Sequence, residues 1–341
     1  MTAPRPAGGS SPLVGYASAV AAASLFAWLV PLSRWAYEAG MEPLPFVAWR
    51  AAIGTLVLMV VVWLAGRRGR PIMRPADLRP RELAALGIAA LMALCLNLSI
   101  FGAFDRVTVA LALIGFYTYP AMVAAVAIVL GRERASGPVL LALALALVGM
   151  VVVVGGSLDP AGGVRVDPLG ILLSLAAAGT QTVFVTISRD GYSRVPAEQA
   201  TAVILAGTVL GCLTLGLIGG LGQELALPLR EPSLVPLVVA AGAAGAAVPS
   251  LLFLTAIRLI GGTRAGILML LEPVIGVGLA AVLLGEALRP VQLAGAAAVL
   301  AAALLLQRSA EADPAGAPAG AHEVAGTDSR LAATRKPPPQ R

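Results

Sequence analysis

Apolar stretches of about 20 residues succeed one another along the chain, cut apart by short polar segments that hold most of its arginine. They fall at about 13–33, 44–65, 83–104, 107–130, 137–155, 168–188, 198–220, 233–256, 263–285 and 289–307. A bilayer core about 30 Å thick takes about 20 helical residues to cross, and a helix satisfies its own backbone in lipid. The pattern predicts an all-α polytopic membrane protein with ten transmembrane helices. Residues 1–12 read as a short polar N-terminal arm, and the long run after them as an uncleaved first span, because no cleavage site separates it from the rest. From Arg308 onward, 308–341 is rich in Ala, Pro, Gly and charge and too poor in apolar residues to fold. It is expected to be a disordered tail.

Composition narrows the classes. The 341 residues are 58% hydrophobic and only 12% charged, with a mean hydropathy of +0.89, whereas soluble domains carry about a quarter charged residues. Cys95 and Cys212 both lie in apolar runs, so no disulfide framework is expected. The only histidine, His322, falls in the tail, which removes most metal sites and histidine-based triads. No catalytic residue, metal or cofactor is expected. The chain contains no GxxxxGK[ST] segment, so ATP is not the direct energy source.

Arginine orients the spans, because positively charged short loops stay in the cytoplasm. With the N-terminus inside, the inner segments before the tail hold Arg5, Arg67, Arg68, Arg70, Arg74, Arg79, Arg81, Arg132, Arg134, Arg189, Arg194, Arg258 and Arg264. The outer loops hold one each: Arg34, Arg106, Arg165, Arg230 and Arg289. The alternation supports ten spans in the cell membrane with both termini cytoplasmic. The net charge of +6 is then mostly a topology signal, and no basic soluble module exists to bind nucleic acid.

The chain repeats itself. An offset of 153 residues lays Pro120 on Pro273 and Glu133 on Glu286, two pairs with the same spacing. It also aligns Ala103 with Ala256, Ala112 with Ala265, Ile114 with Ile267, and Ala127, Val129 and Leu130 with Ala280, Val282 and Leu283. An offset of 155 lays Ser33-Arg34 on Ser188-Arg189. Two five-helix halves result, 13–155 and 168–307. Five is odd, so the second half enters the membrane the other way up, as in secondary transporters whose substrate site lies between inverted repeats near the midplane.

The segments "YTYPAMVAAVAIVLGRER" and "LEPVIGVGLAAVLLGEAL", with "FVAWRAAIGTLVL" in the second helix, resemble the EamA family of the drug/metabolite transporter superfamily. The resemblance covers about 13–307. It departs in the first half, where Gly131-Arg132-Glu133 is one residue off the usual Gly-Glu pair, and in "FAWLVPLSRW", which lacks the family's Trp-Gly step. It implies a ten-helix exporter of small metabolites, often amino acids.

Glu272 heads the candidate residues. It lies eight to ten residues into its helix, about 12–15 Å from the nearer end, where an ionised carboxylate costs several kcal/mol unless paired, hydrated or protonated. Pro273 beside it frees a backbone carbonyl near Met269. Such a polar spot is tolerable where it faces a cavity. Glu272 either holds a substrate ammonium or carries a proton, or it is a protonated acid bonded to a neighbouring helix. Tyr119 stands in the equivalent place before Pro120 and forms a hydroxyl-bearing aromatic cluster with Tyr117 and Thr118. This cluster faces Glu272 if the fourth and ninth helices meet across the pseudo-twofold axis; otherwise the rings simply pack. Arg50 either snorkels to the headgroups or anchors a substrate carboxylate. Trp28, Asn97, Gln181 and Thr182 either line the cavity or bond between helices. Glu133 and Glu286 end their helices on opposite faces and are read as fixing helix ends and loops.

The leading function is a secondary transporter exporting a small metabolite, an amino acid or related compound, by alternating access, either proton-coupled or downhill. The alternative is a flippase for a lipid carrier or lipid-linked sugar. An intramembrane enzyme ranks last, because the spans hold no histidine and no acid pair at a shared depth. The expected partners are a small-molecule substrate and the bilayer, with a monomer and a homodimer both open.

Overall fold

The computed structural model describes residues 12–133, 136–156, 165–284 and 288–312. Helices alone cross from face to face among them. Ten are long and apolar enough to span a membrane: Pro12–Glu38, Pro43–Arg67, Pro80–Phe104, Val109–Val129, Gly137–Gly156, Pro168–Asp190, Ala197–Ile218, Pro232–Ile260, Gly262–Leu283 and Pro290–Arg308. Residues 1–11 of the N-terminal arm, most of the tail and Glu286 lie outside the described residues. Two expected ends shift. The first span continues past Arg34 to Glu38, where Gly40 at φ 85° lets Met41 N–H return to the Ala36 carbonyl at 3.0 Å. The last helix runs on to Ala312 instead of ending before Arg308.

The spans pack in a ring of eight. Following neighbours around it, the second packs on the seventh, then the third, sixth, fourth, ninth, first and eighth, which returns to the second. Exchanging each span with its counterpart in the other half leaves this order intact. The fold is therefore two inverted five-helix repeats, with the pseudo-twofold axis through the second–seventh and fourth–ninth contacts. The fifth and tenth spans stand outside the ring as a pair beside the fourth and ninth.

That outer pair crosses at two glycines. A Cβ added to Gly295 would lie 2.6 Å from the Gly149 carbonyl oxygen and 2.8 Å from the Val153 nitrogen, both backbone atoms that cannot turn aside. A Cβ at Gly149 would meet the Gly295 carbonyl at 2.7 Å. Small residues let backbones approach where lipid offers no hydrophobic drive between helices. Gly295→Ala is expected to destabilise the protein by about 1–3 kcal/mol, the range for overpacking. Thermal unfolding of the detergent-solubilised protein measures this as a lowered Tm.

The faces differ in charge. One, called here the arginine-rich face, carries Arg67 to Arg81, Arg132, Arg189, Arg194, Arg258 and Arg264; the other is arginine-poor.

Candidate functional site

Proline sets the irregular backbone at mid-depth. The fourth span breaks into Val109–Phe116 and Tyr119–Val129, because Pro120 cannot donate to the carbonyl four residues earlier and its ring crowds it. Thr118 compensates, its hydroxyl donating to the Gly115 carbonyl at 2.7 Å. The ninth span breaks at the matching place, between Gly262–Met269 and Leu271–Leu284, ahead of Pro273. Pro31 likewise splits the first span at Trp28, into Pro12–Ala27 and Leu29–Glu38. In the eighth span the turn before Pro249 widens into a π-helix, Ala243–Ala247. Gly242 there abuts the second span, where an added Cβ would stand 3.0 Å from the Arg50 carbonyl.

These breaks aim polar groups into the ring. The fourth and ninth spans cross so closely that a Cβ on Gly266 would touch Pro120 Cβ at 3.3 Å and Tyr119 Cε2 at 3.5 Å. Tyr117, in the break itself, faces the Glu272 carboxylate. Tyr119 is buried and tilts against Phe116 with ring centroids 5.3 Å apart. The proline-matched position thus packs at the crossing, while its neighbour two residues earlier faces the acid. Glu272 keeps part of its surface exposed.

Arg50 turns inward. Its Nη2 donates to Asn97 Oδ1 at 2.8 Å, and Asn97 is fixed in turn by its own Nδ2 donating to the Ala93 carbonyl at 2.7 Å. Arg50 is also near enough to Glu272 for the two charges to interact across the ring. Asn97 lies in the floor of a cleft of about 220 Å³ toward the arginine-poor face. Glu42, Leu44 and Val47 of the second-span end, Leu98, Phe101 and Gly102 of the third and Cys212 of the seventh line the rest. The structure thus sets Glu272 near Tyr117 and Arg50 and bonds Arg50 to Asn97; of these four, Asn97 lines the cleft.

The other candidates have surroundings of their own. Trp28 sits at the first-span break, 40% exposed. Thr182 closes onto the Ala178 carbonyl of its own helix at 2.8 Å. Gln181 is buried beside it, within a stripe of small and polar residues (Gly170, Ser174, Ala177, Ala178) that lets neighbouring spans approach. Two cleft residues had no signal in the sequence: Cys212 looks like any apolar-run cysteine, and Glu42 like any loop acid.

Toward the arginine-rich face the ring is shut. Arg189 donates to Glu133 at 3.0 Å, tying the fourth span's end to the sixth. Gly261, at φ 84°, presses against that pair: an added Cβ would stand 2.9 Å from Glu133 Oε1. A Cβ on Gly262 would be 2.7 Å from Val185 Cγ1 and 3.1 Å from Val123 Cγ1, so three spans meet there. The hydroxyls of Tyr16 and Thr263 are buried on this side without a hydrogen-bond partner among the described residues, a state that hydration would relieve. Glu133, expected to fix a helix end, pairs across the two halves.

A ten-span bundle of inverted repeats around a polar, proline-broken centre is the architecture of a secondary transporter. The model of the EamA-like transporter family matches the chain twice, over residues 13–155 and 168–308. The chain belongs to the EamA-like transporter family, and so to the membrane transporters of the drug/metabolite transporter superfamily. A solved crystal structure of another protein superposes with a TM-score of 0.67 at 21% identity, covering 88% of this chain and 96% of its own, which shows a shared fold. Comparison with the curated proteins finds no match.

Proposed function

We propose that this transporter exports a small zwitterionic metabolite, an amino acid or a close relative, with Arg50 taking the carboxylate and Glu272 the ammonium. The observation carrying this reading is that Arg50 and Glu272, two ionisable side chains inside the spans, lie within electrostatic reach of each other, with Asn97 holding Arg50. A guanidinium offers the planar donor fork that suits a carboxylate, and the apolar walls at Leu44, Val47, Leu98 and Phe101 would receive a carbon side chain. Ring, charges and gates all come from one chain, so the reading needs no second copy. By the arginine bias, the arginine-rich face is cytoplasmic, with both termini there, and the protein lies in the cell membrane.

Alternating access follows from an asymmetry between the halves. On the arginine-rich side the eighth span reaches across the ring to the sixth, where Leu254, Phe184 and Ile187 share one apolar cluster. Their repeat equivalents, the first and third spans, make no comparable contact among the described residues, and a cleft lined by the second, third and seventh spans opens toward that face. If the halves exchange conformations, Phe101 closes onto Leu29 and Leu32 while Leu254 leaves Phe184 and Ile187. The Glu133–Arg189 pair then opens with the cytoplasmic side. Glu133→Gln is expected to favour that opening by about fivefold, the effect of an ion pair worth about 1 kcal/mol. Faster labelling of Thr263→Cys by a maleimide added to that face reads the shift.

The function itself is tested in liposomes. Wild-type protein is expected to move at least one of a panel of radiolabelled amino acids, faster with an opposing proton gradient than without. If no zwitterion moves and a fluorescent lipid changes leaflet, the flippase alternative takes its place.

A further inference from the structure

Six arginines sit within fifteen residues at the turn between the second and third spans: Arg67, Arg68, Arg70, Arg74, Arg79 and Arg81. All six are exposed. Elsewhere on this face Arg132, Arg189, Arg194 and Arg258 are engaged by protein. Arg189 holds Glu133, Arg194 holds Glu82, and Arg258 donates to the carbonyls of Val195 and Tyr192. In the turn, Arg70 reaches Glu198 only at 3.9 Å with its side chain 73% exposed, and Arg68, Arg74, Arg79 and Arg81 make no ion pair among the described residues.

The nearby acids are already occupied. Asp77 accepts the Arg74 backbone N–H at 3.1 Å. Glu82 is buried, accepts the Arg79 backbone N–H at 2.9 Å, and binds Arg194 at 3.2 Å. The six arginines outnumber the nearby acids Asp77, Glu82 and Glu198, and Glu82 is shared with Arg194, so the turn keeps a net positive charge.

The turn is also held in shape. Gly69 at φ 76° folds it back so that Arg70 N–H reaches the Ala65 carbonyl at 3.0 Å. The amide of Gln199, on the seventh span, takes both backbone groups of Met73, accepting from its N–H at 3.0 Å and donating to its carbonyl. A short 3-10 turn, Pro75–Asp77, completes it. Arginines on a pinned turn are presented at little further ordering cost.

Three observations place this surface at the headgroup level. Arg67 lies over the Trp63 ring at 4.1 Å, and that tryptophan is 53% exposed, the residue type that collects at membrane–water boundaries. Leu64 and Ile72 are exposed beside it. The turn also joins two membrane spans directly, so it cannot stand far from the lipid surface.

We propose that this turn is a binding surface for anionic phospholipids, its guanidinium groups donating to the phosphodiester oxygens of acidic headgroups while Trp63, Leu64 and Ile72 meet the acyl boundary. Guanidinium pairs with phosphate through charge-assisted, fork-shaped hydrogen bonds. Each arginine near an anionic leaflet is worth about fivefold in binding. Through Gln199 the bound lipid also steadies the start of the seventh span, which carries Cys212 into the cleft. The inference rests on the multi-pass topology and is independent of what the protein carries.

The test uses the full chain purified in detergent and native mass spectrometry with added phosphatidylglycerol or phosphatidylcholine. Wild type is expected to retain phosphatidylglycerol preferentially. The double variant Arg68→Gln/Arg74→Gln keeps four turn arginines to hold the topology, and should lose about tenfold or more of that preference. The lysine double variant at the same positions should keep most of it. For wild type alone, raising ionic strength should erase the preference, since exposed charges are screened. Equal retention of the two lipids, an unchanged preference in the glutamine variant, or displacement by millimolar inorganic phosphate, which would mark a site for the free ion, each overturns the proposal.

Discussion

Glu272→Gln is expected to abolish the response of transport to a proton gradient and to weaken substrate binding by about ten- to a hundredfold. The two effects have separate causes. An amide of the same shape still fits beside Tyr117, so the fourth–ninth crossing survives and the fold with it. It cannot bind and release a proton, so any coupling carried by this acid disappears outright. It also carries no charge for a substrate ammonium, and a hydrogen bond to a charged group is worth about 1.5–3 kcal/mol. Arg50 loses its opposing charge at the same time, which worsens the site for a zwitterion and improves it for a simple anion. Measured in liposomes, the variant should therefore show downhill flux only, with a raised KM and no added uptake when a pH gradient is imposed. Undiminished gradient dependence would remove Glu272 from the coupling step. An unchanged KM would remove it from the binding step.

The second large effect concerns the shut side of the ring. In a background without Cys95 and Cys212, the pair Ile187→Cys and Leu254→Cys places two thiols in the cluster that closes the arginine-rich face. Oxidation of that pair should hold the sixth and eighth spans together and reduce flux to the level of empty liposomes, with recovery on reduction. Each single cysteine should transport normally under the same oxidant. The size of the expected loss follows from the geometry: the substrate has no other exit if the ring opens on one face at a time.

Much of this architecture was legible in the chain because lipid leaves few alternatives. Ten apolar runs must be ten helices when every backbone group needs an internal partner, and the arginine alternation marks which ends share a face. Pro120 and Pro273 marked two helix breaks, since a proline removes a specific hydrogen bond wherever it sits. Pro31 and Pro249 carry the same signal, and they break the first span and widen the eighth. The candidate site was legible only in its most expensive member. Glu272 announces itself because a carboxylate at mid-depth demands a reason. Tyr117 could not be separated from Tyr119, because the choice depends on how the chain turns within the break. The inward direction of Arg50 was equally hidden: a residue seven positions from a helix end can snorkel or turn inward, and Asn97 on another span decides it. Glu133 found Arg189 across the repeat boundary, a pairing that spacing along one half does not encode.

The most direct test of the account is a second cysteine pair, Leu32→Cys and Phe101→Cys, in the same cysteine-free background. These positions are the repeat equivalents of Ile187 and Leu254 by the offsets of 155 and 153 residues, and Phe101 lines the open cleft. If one cavity around Glu272 and Arg50 is exposed to each face in turn, a short bifunctional crosslinker should join this pair slowly in the resting protein and several-fold faster during active transport. Crosslinking should then stop flux with the arginine-poor side closed. A pair that never crosslinks while the protein transports at full rate would contradict alternating closure by these two halves.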